Sequence, residues 1–224
     1  MECPPTFGTD PQLIQAIIAG GTEAIFRAKE GAEDDGQEGR EDLEKIGFCE
    51  KDVLVGLAAS GRTPYVLGAM AYAREKGAPI IAVTCCPDSA IDQMADIGIA
   101  PMPGPEVITG STRLKSGTAE KMVLNMLSTT VMIQMGKVYG NLMVDVKATN
   151  EKLLERTVRI VKTCTHASDE EARRVLKECE YSAKAAIVMI LTGAGSQEAK
   201  ALLEEKNGRI QEILKAAQKE GASV

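Results

Sequence analysis

The spacing of apolar positions changes period along the chain, and the changes divide it into helices and strands. Leu13, Ile14, Ile17 and Ile18 form one stripe behind Asp10–Pro11, which predicts a helix closed by Gly20–Gly21. A second short helix is predicted from Thr22 through Ala28, and a third from Glu38 to Ile46 with Gly47 as its stop. From Val53 to Ala58 the residues are almost all apolar with no polar alternation, the pattern of a strand buried on both faces of a parallel sheet. Thr63 as cap and Pro64 at the first helical position then open a helix. Its buried face is Val66, Leu67, Met70 and Ala73, and Gly77 ends it. The unit recurs: Ile80–Thr84 is a second strand, Ser89 with Asp92 makes a capping-box-like helix start, and Ile97–Ala100 is a third, weaker strand. Strands alternating with helices predict a parallel α/β sheet.

Pro101 to Gly117 reads as a long loop, and loops of this length inside compact domains are often functional. The helix that follows, Thr118 to about Met135, is apolar nearly all round and is therefore predicted to be buried. After a connector over Gly136–Ala148 only helix signals remain. Thr149 or Asn150 opens one helix, Ser168 with Glu171 caps the next, and Ser182 starts a third that Gly193 closes. Gln197–Lys206 and Arg209–Lys219 are split by Asn207–Gly208. These signals place a boundary near 148, with an α/β domain over 1–148 and a helical domain over 149–224.

Composition narrows the function classes. Among 224 residues 44% are hydrophobic and 26% charged, as in an ordinary folded globular protein. The net charge of −6 argues against broad binding to nucleic acid or an anionic membrane, so an anionic ligand needs a local basic pocket. Aromatic residues are 3% and there is no Trp, which disfavours base-stacking platforms. The six cysteines form no Cys-x-x-Cys pair, and they read as reduced thiols of a cytoplasmic protein. No apolar run reaches the ~18 residues of a membrane span.

Five places could carry chemistry. Ser60–Gly61–Arg62–Thr63 lies between a buried strand and a helix start, where free backbone N–H groups, the helix dipole and two hydroxyls suit a phosphate; the same residues also suit an ordinary capped turn. Thr109–Gly117 concentrates Ser111, Thr112, Arg113 and Lys115, a set fitted to sugar hydroxyls and phosphate, or else a solvated polar loop. Glu2 and Glu33 would form an acid/base pair only if folding brought them together. His166 is the only histidine and stands at a helix junction, so a capping role suits it better than catalysis, and Cys85–Cys86 reads as buried small residues.

Five ordered blocks carry a resemblance. Glu2-Cys-Pro-Pro-Thr-Phe-Gly8, Glu30-Gly-Ala-Glu-Asp34, Ala59-Ser-Gly-Arg-Thr-Pro-Tyr65, Thr109-Gly-Ser-Thr-Arg-Leu-Lys115 with Gly117-Thr118-Ala119, and Gly140-Asn-Leu-Met-Val-Asp-Val146 with Ala148-Thr-Asn150 together resemble the N-acetylmuramic acid 6-phosphate etherases. Glucokinase regulatory protein shares part of the pattern. The resemblance implies a sugar isomerase (SIS) domain, a flavodoxin-like three-layer α/β sandwich with a parallel sheet, followed by a small ubiquitin-associated-like helical bundle. It implies a homodimer in the bacterial cytoplasm, active in cell-wall amino-sugar recycling without metal or organic cofactor.

The implied reaction is cleavage of the D-lactyl ether of N-acetylmuramic acid 6-phosphate with water, giving N-acetylglucosamine 6-phosphate and D-lactate by elimination and rehydration. By position in the blocks, Glu2 resembles the acid that protonates the departing lactate and Glu33 the second catalytic carboxylate, a base at C2. Ser60, Gly61, Arg62 and Thr63 would hold phosphate or sugar, with Ser111, Thr112, Arg113 and Lys115 lining the same cleft. Family members carry a further N-terminal strand and hydroxyl-rich loop before the Glu-Cys-Pro-Pro block, a segment this chain is expected to lack. The alternative reading is a non-catalytic phosphosugar sensor with a regulatory protein partner; a phosphosugar isomerase is weaker because the one histidine lies in the helical tail.

Overall fold

A computed structural model describes residues 3–146 and 150–221. The chain divides into two compact units, residues 16–126 and residues 1–15 with 127–224.

The first unit is built on a parallel sheet whose described strands run in the order β1 (Leu54–Leu57), β2 (Ile80–Val83) and β3 (Ile97–Ile99). Leu54 pairs with Ile80 and Ile81 with Ile97, so the three strands run in register from a common edge. A short helix α1 (Cys3–Phe7) belongs to the other unit; here the helices are α2 (Gly36–Lys45), α3 (Pro64–Glu75) and α4 (Ala90–Met94). The central strand β2 is the one covered on both faces; β1 is half-buried behind an exposed Val53, and Ile97 of β3 is exposed. Ile80, Ala82 and Val83 are wholly buried, and Met70 and Ala73 of α3 share their core with Leu43 of α2, Phe48 and Ile91.

Glycines set how closely α2 and α3 approach. A Cβ at Gly39 would run into the carbonyl of Tyr65, and one at Gly68 into the carbonyl of Gly36. Gly68→Ala should therefore lower stability by about 1–3 kcal/mol, the usual cost of overpacking. Urea unfolding checks this, and an unchanged midpoint would contradict the close-packing account.

Several sequence expectations give way. The stripe at 13–18 is not helical: Asp10 accepts the Gln12 N–H at 2.7 Å and closes one turn, and Leu13, Ile14, Ile17 and Ile18 stay exposed. So short an amphipathic run does not hold a helix without a covered face. The Thr22–Ala28 helix shrinks to a 3₁₀ turn over Thr22–Ile25. Ser89 and Asp92 make no capping box, since Asp92 takes the Asp88 N–H instead. The helix α5 (Lys115–Gln134) starts earlier than predicted and is not buried all round: Val123 and Met132 are, whereas Met122, Met126, Val131 and Ile133 are exposed. A single chain covers only one stripe of a helix that is apolar on every side.

In the second unit the stretch read as a connector holds a hairpin of β4 (Val138–Tyr139) and β5 (Leu142–Met143), turned at Gly140 with φ 59°. Five helices follow: α6 (Glu151–Thr165), α7 (Asp169–Glu178), α8 (Ala183–Thr192), α9 (Ser196–Glu205) and α10 (Ile210–Gly221). The caps are those the sequence announced. Asn150 accepts the Leu153 N–H, Ser168 that of Glu171 and Ser182 that of Ala185. His166 closes α6 in a left-handed conformation, as a C-cap. Helix α8 is the centre: residues 183 to 189 are all buried and share a core with Val144, Val161, Leu176 and Ile213. Lys137 and Lys184 both pair with Asp145, at 2.8 and 2.9 Å, tying the segment after the hairpin to α8. The boundary predicted near 148 falls on residues 147–149, outside the described residues. Among the described residues no helix is long and apolar enough to cross a membrane.

Candidate active site

In an open parallel sheet the loops beyond the carboxyl ends of the strands are where ligands meet helix N-termini. All the described candidate residues lie in the first unit, and three of their segments come to that edge. Ser60 to Thr63 join β1 to α3. Gly61 is buried with φ 68°, and a Cβ there would strike the side chains of Ser89 and Thr84, so this turn needs glycine. The turn is tied down by its own backbone: Gly61 N–H donates to the Ala58 carbonyl at 2.9 Å, and Ile91 N–H donates to the Gly61 carbonyl at 3.1 Å. Thr63 is the N-cap residue of α3, yet its side chain makes no capping bond. Its hydroxyl is left for other work, at the positive end of a twelve-residue helix.

Cys85 connects this turn to the second hydroxyl-rich segment. Its N–H donates to the Ala59 carbonyl at 3.0 Å, and its thiol is hydrogen-bonded with the side chain of Ser116 in the first turn of α5. Burial pushes the thiol up and the Ser116 contact only partly offsets this, so Cys85 is a half-buried, packed thiol; Cys86 is exposed, against the expectation that both are buried small residues. Ser111 to Lys115 therefore approach the same edge. Ser111 Oγ accepts the Arg113 N–H at 3.3 Å, Thr112 accepts the Gly117 N–H at 3.2 Å through its carbonyl, and Arg113 and Lys115 are exposed.

Glu33 sits exposed on a 3₁₀ turn, Ala32–Asp34, whose N-cap Gly31 is left-handed. That turn packs against α3. It leads directly to Asp35, which caps α2 through the Gln37 and Glu38 N–H groups, and to Gly36, which faces the Pro64 carbonyl at the start of α3. Glu33 is thus carried to the same end of α3 as Ser60 and Thr63. Glu2 lies outside the described residues, so its meeting with Glu33 is not described.

Two carboxylates, Glu106 and Glu120, escaped the sequence reading, and Ser89, expected only as a helix cap, stands differently from that expectation. Glu106 spreads its carboxylate over the start of α5, accepting the Lys115 and Ser116 N–H groups at 3.0 and 3.1 Å. Those backbone bonds hold its carboxyl below the usual carboxylate range. Ser89 Oγ and Glu120 Oε1 are buried without a hydrogen-bond partner, and burial pushes the Glu120 carboxyl up. No motif marks the two carboxylates; only their position in the folded unit does. Cavities of about 530 and 460 Å³ occur in the helical unit, but none of the candidate residues lines either.

Three family models match the chain: the glucokinase regulatory protein N-terminal SIS domain over residues 5–74, the SIS domain over 47–130 and the C-terminal lid domain of glucokinase regulatory protein over 140–187. N-acetylmuramic acid 6-phosphate etherase of Photorhabdus laumondii subsp. laumondii is 54% identical over 215 residues, 96% of this chain and 71% of the relative. N-acetylmuramic acid 6-phosphate etherase 2 of Vibrio cholerae is 58% identical over 207 residues, 92% of this chain and 67% of the relative. The enzyme of the same name from Clostridium botulinum is 54% identical over 214 residues, 96% and 71% of the two chains.

Proposed function

This chain belongs to the family of N-acetylmuramic acid 6-phosphate etherases, carbon–oxygen lyases, and on that premise we propose how its residues cleave the D-lactyl ether. In the open-chain sugar the aldehyde acidifies the proton at C2. Glu33 takes that proton as base; the C2–H electron pair forms a C2=C3 double bond, and the C3–O bond breaks. The ether oxygen departs with the lactyl group and receives a proton from Glu2, giving D-lactate. Water then adds to C3 while C2 regains a proton, which yields N-acetylglucosamine 6-phosphate. Two carboxylates with opposite protonation duties suffice.

The observation that carries this reading is the Ser60–Thr63 turn. It sets a buried left-handed glycine, an uncommitted threonine hydroxyl and a helix N-terminus together at the carboxyl edge of the sheet, as an anionic sugar phosphate requires. Ser60, Gly61, Arg62 and Thr63 hold phosphate or sugar, and Ser111, Thr112, Arg113 and Lys115 line the same cleft. The helical domain over 149–224 supports packing and a homodimer, and the enzyme works in the cytoplasm in peptidoglycan recycling and amino-sugar catabolism. Light scattering on the purified chain tests the dimer.

Incubating the protein with N-acetylmuramic acid 6-phosphate and assaying D-lactate tests the activity. Ser60→Ala should raise KM about tenfold by removing one hydroxyl contact. A folded protein that shows a phosphosugar-dependent thermal shift but releases no lactate would instead be a sensor.

A further inference from the structure

The loop that carries Ser111 to Arg113 has little of its own to hold it. Val107 and Ile108 stand 83% and 64% exposed, and Thr109 and Gly110 are exposed as well. Inside it, the Ser111 N–H reaches the Ile108 carbonyl at 3.2 Å and the Ser111 hydroxyl takes the Arg113 N–H, both bonds within one turn. The long-range tie comes from Glu106. Its two oxygens receive Lys115 N–H at 3.0 Å and Ser116 N–H at 3.1 Å, nine and ten residues on, and the Leu114 N–H adds to them. One side chain therefore closes the base of the loop into a ring. The same carboxylate fills the positive end of α5, whereas the positive end of α3 has no side-chain cap.

We propose that Glu106 is a positioning residue for the ether cleavage: its carboxylate clasps the first amides of α5, fixes the Ser111–Arg113 loop facing the substrate, and keeps the substrate's own anion off that helix end. This rests on the reading that the loop contacts substrate. The clasp is an anion on backbone donors, so a small free carboxylate can replace it once the side chain is gone. A residue that only supported the fold would leave KM of the folded variant where it was.

The test uses the full chain with Glu106→Ala, without and with added formate. KM for N-acetylmuramic acid 6-phosphate should rise about tenfold with kcat little changed, since ground-state positioning is lost while the carboxylates of the chemistry remain. Hydrogen exchange should speed up at the amides of Lys115 and Ser116. Formate should restore both KM and amide protection, and should leave wild type unaffected. An unchanged KM, amides that keep their protection, or losses that formate does not repair would each overturn the proposal. Wild-type protein that releases no lactate would defeat the etherase reading instead, and the exchange measurement would still decide the clasp.

Discussion

Glu33→Gln should lower D-lactate release by about 10²–10⁴-fold, the usual effect of removing a general base, while the urea midpoint stays where it was. The turn that carries Glu33 does not depend on its charge. Gly31 enters it in a left-handed conformation, Ala32 is its buried residue, and Asp35 leads out of it by capping α2. Glutamine keeps the size and loses only the ability to take a proton. If Glu33 is the base at C2, its replacement also stops exchange of the C2 proton with solvent deuterium. Glu2→Ala should stop lactate release while that exchange survives, because breaking the C3–O bond needs the acid and removing the C2 proton does not. Equal rates in Glu33→Gln and wild type would remove Glu33 from the chemistry.

The second large effect is structural. Asp145→Ala should destabilise the protein by about 3 kcal/mol, the low end for breaking a buried ion pair. Asp145 stands between Lys137 and Lys184, and the Lys184 side chain is only 9% exposed. Without the carboxylate, two ammonium groups face each other and one of them is buried. A compensating change separates this cause from simple loss of packing. Lys184→Met in the Asp145→Ala background should return much of the stability, since an apolar side chain of similar volume suits a site inside the α8 core. A double variant no more stable than Asp145→Ala would show that the charge was not the cause.

Much of the fold was legible because it rests on short-range rules. The apolar runs at 53–58 and 80–84 announced parallel strands, of which the second is buried and the first only half-buried, and Asn150, Ser168, Ser182 and Gly193 announced helix ends that appear where they stand. Failures came where the outcome depended on what lies across from a segment. The stripe at 13–18 has helical spacing and no helix, and α5 is apolar all round yet leaves most of its apolar side chains exposed. Spacing records which face is apolar; it does not record whether anything covers that face. The Val138–Met143 hairpin was missed because two-residue strands are too short to show alternation, though Gly140–Asn141 between apolar pairs was a turn signal.

The candidate site divides in the same way. The Ser60–Thr63 and Ser111–Lys115 segments could be found because hydroxyls, glycine and cations cluster in them. Glu106 could not, because its partners are backbone amides nine and ten residues away that any sequence would supply. Glu120 became visible only through a buried oxygen atom left without a partner, and Ser89, legible as a helix start, shows the same orphaned oxygen only in the folded unit.

On this mechanism the lactyl ether is broken by elimination, and water enters afterwards at C3. Turnover in deuterium oxide enriched in oxygen-18, with both products weighed by mass spectrometry, decides this. The mechanism predicts one heavy oxygen at C3 and one deuterium at C2 of N-acetylglucosamine 6-phosphate, and D-lactate that keeps the original ether oxygen unlabelled. Heavy oxygen in the lactate, or a C2 that keeps its original hydrogen, would contradict it.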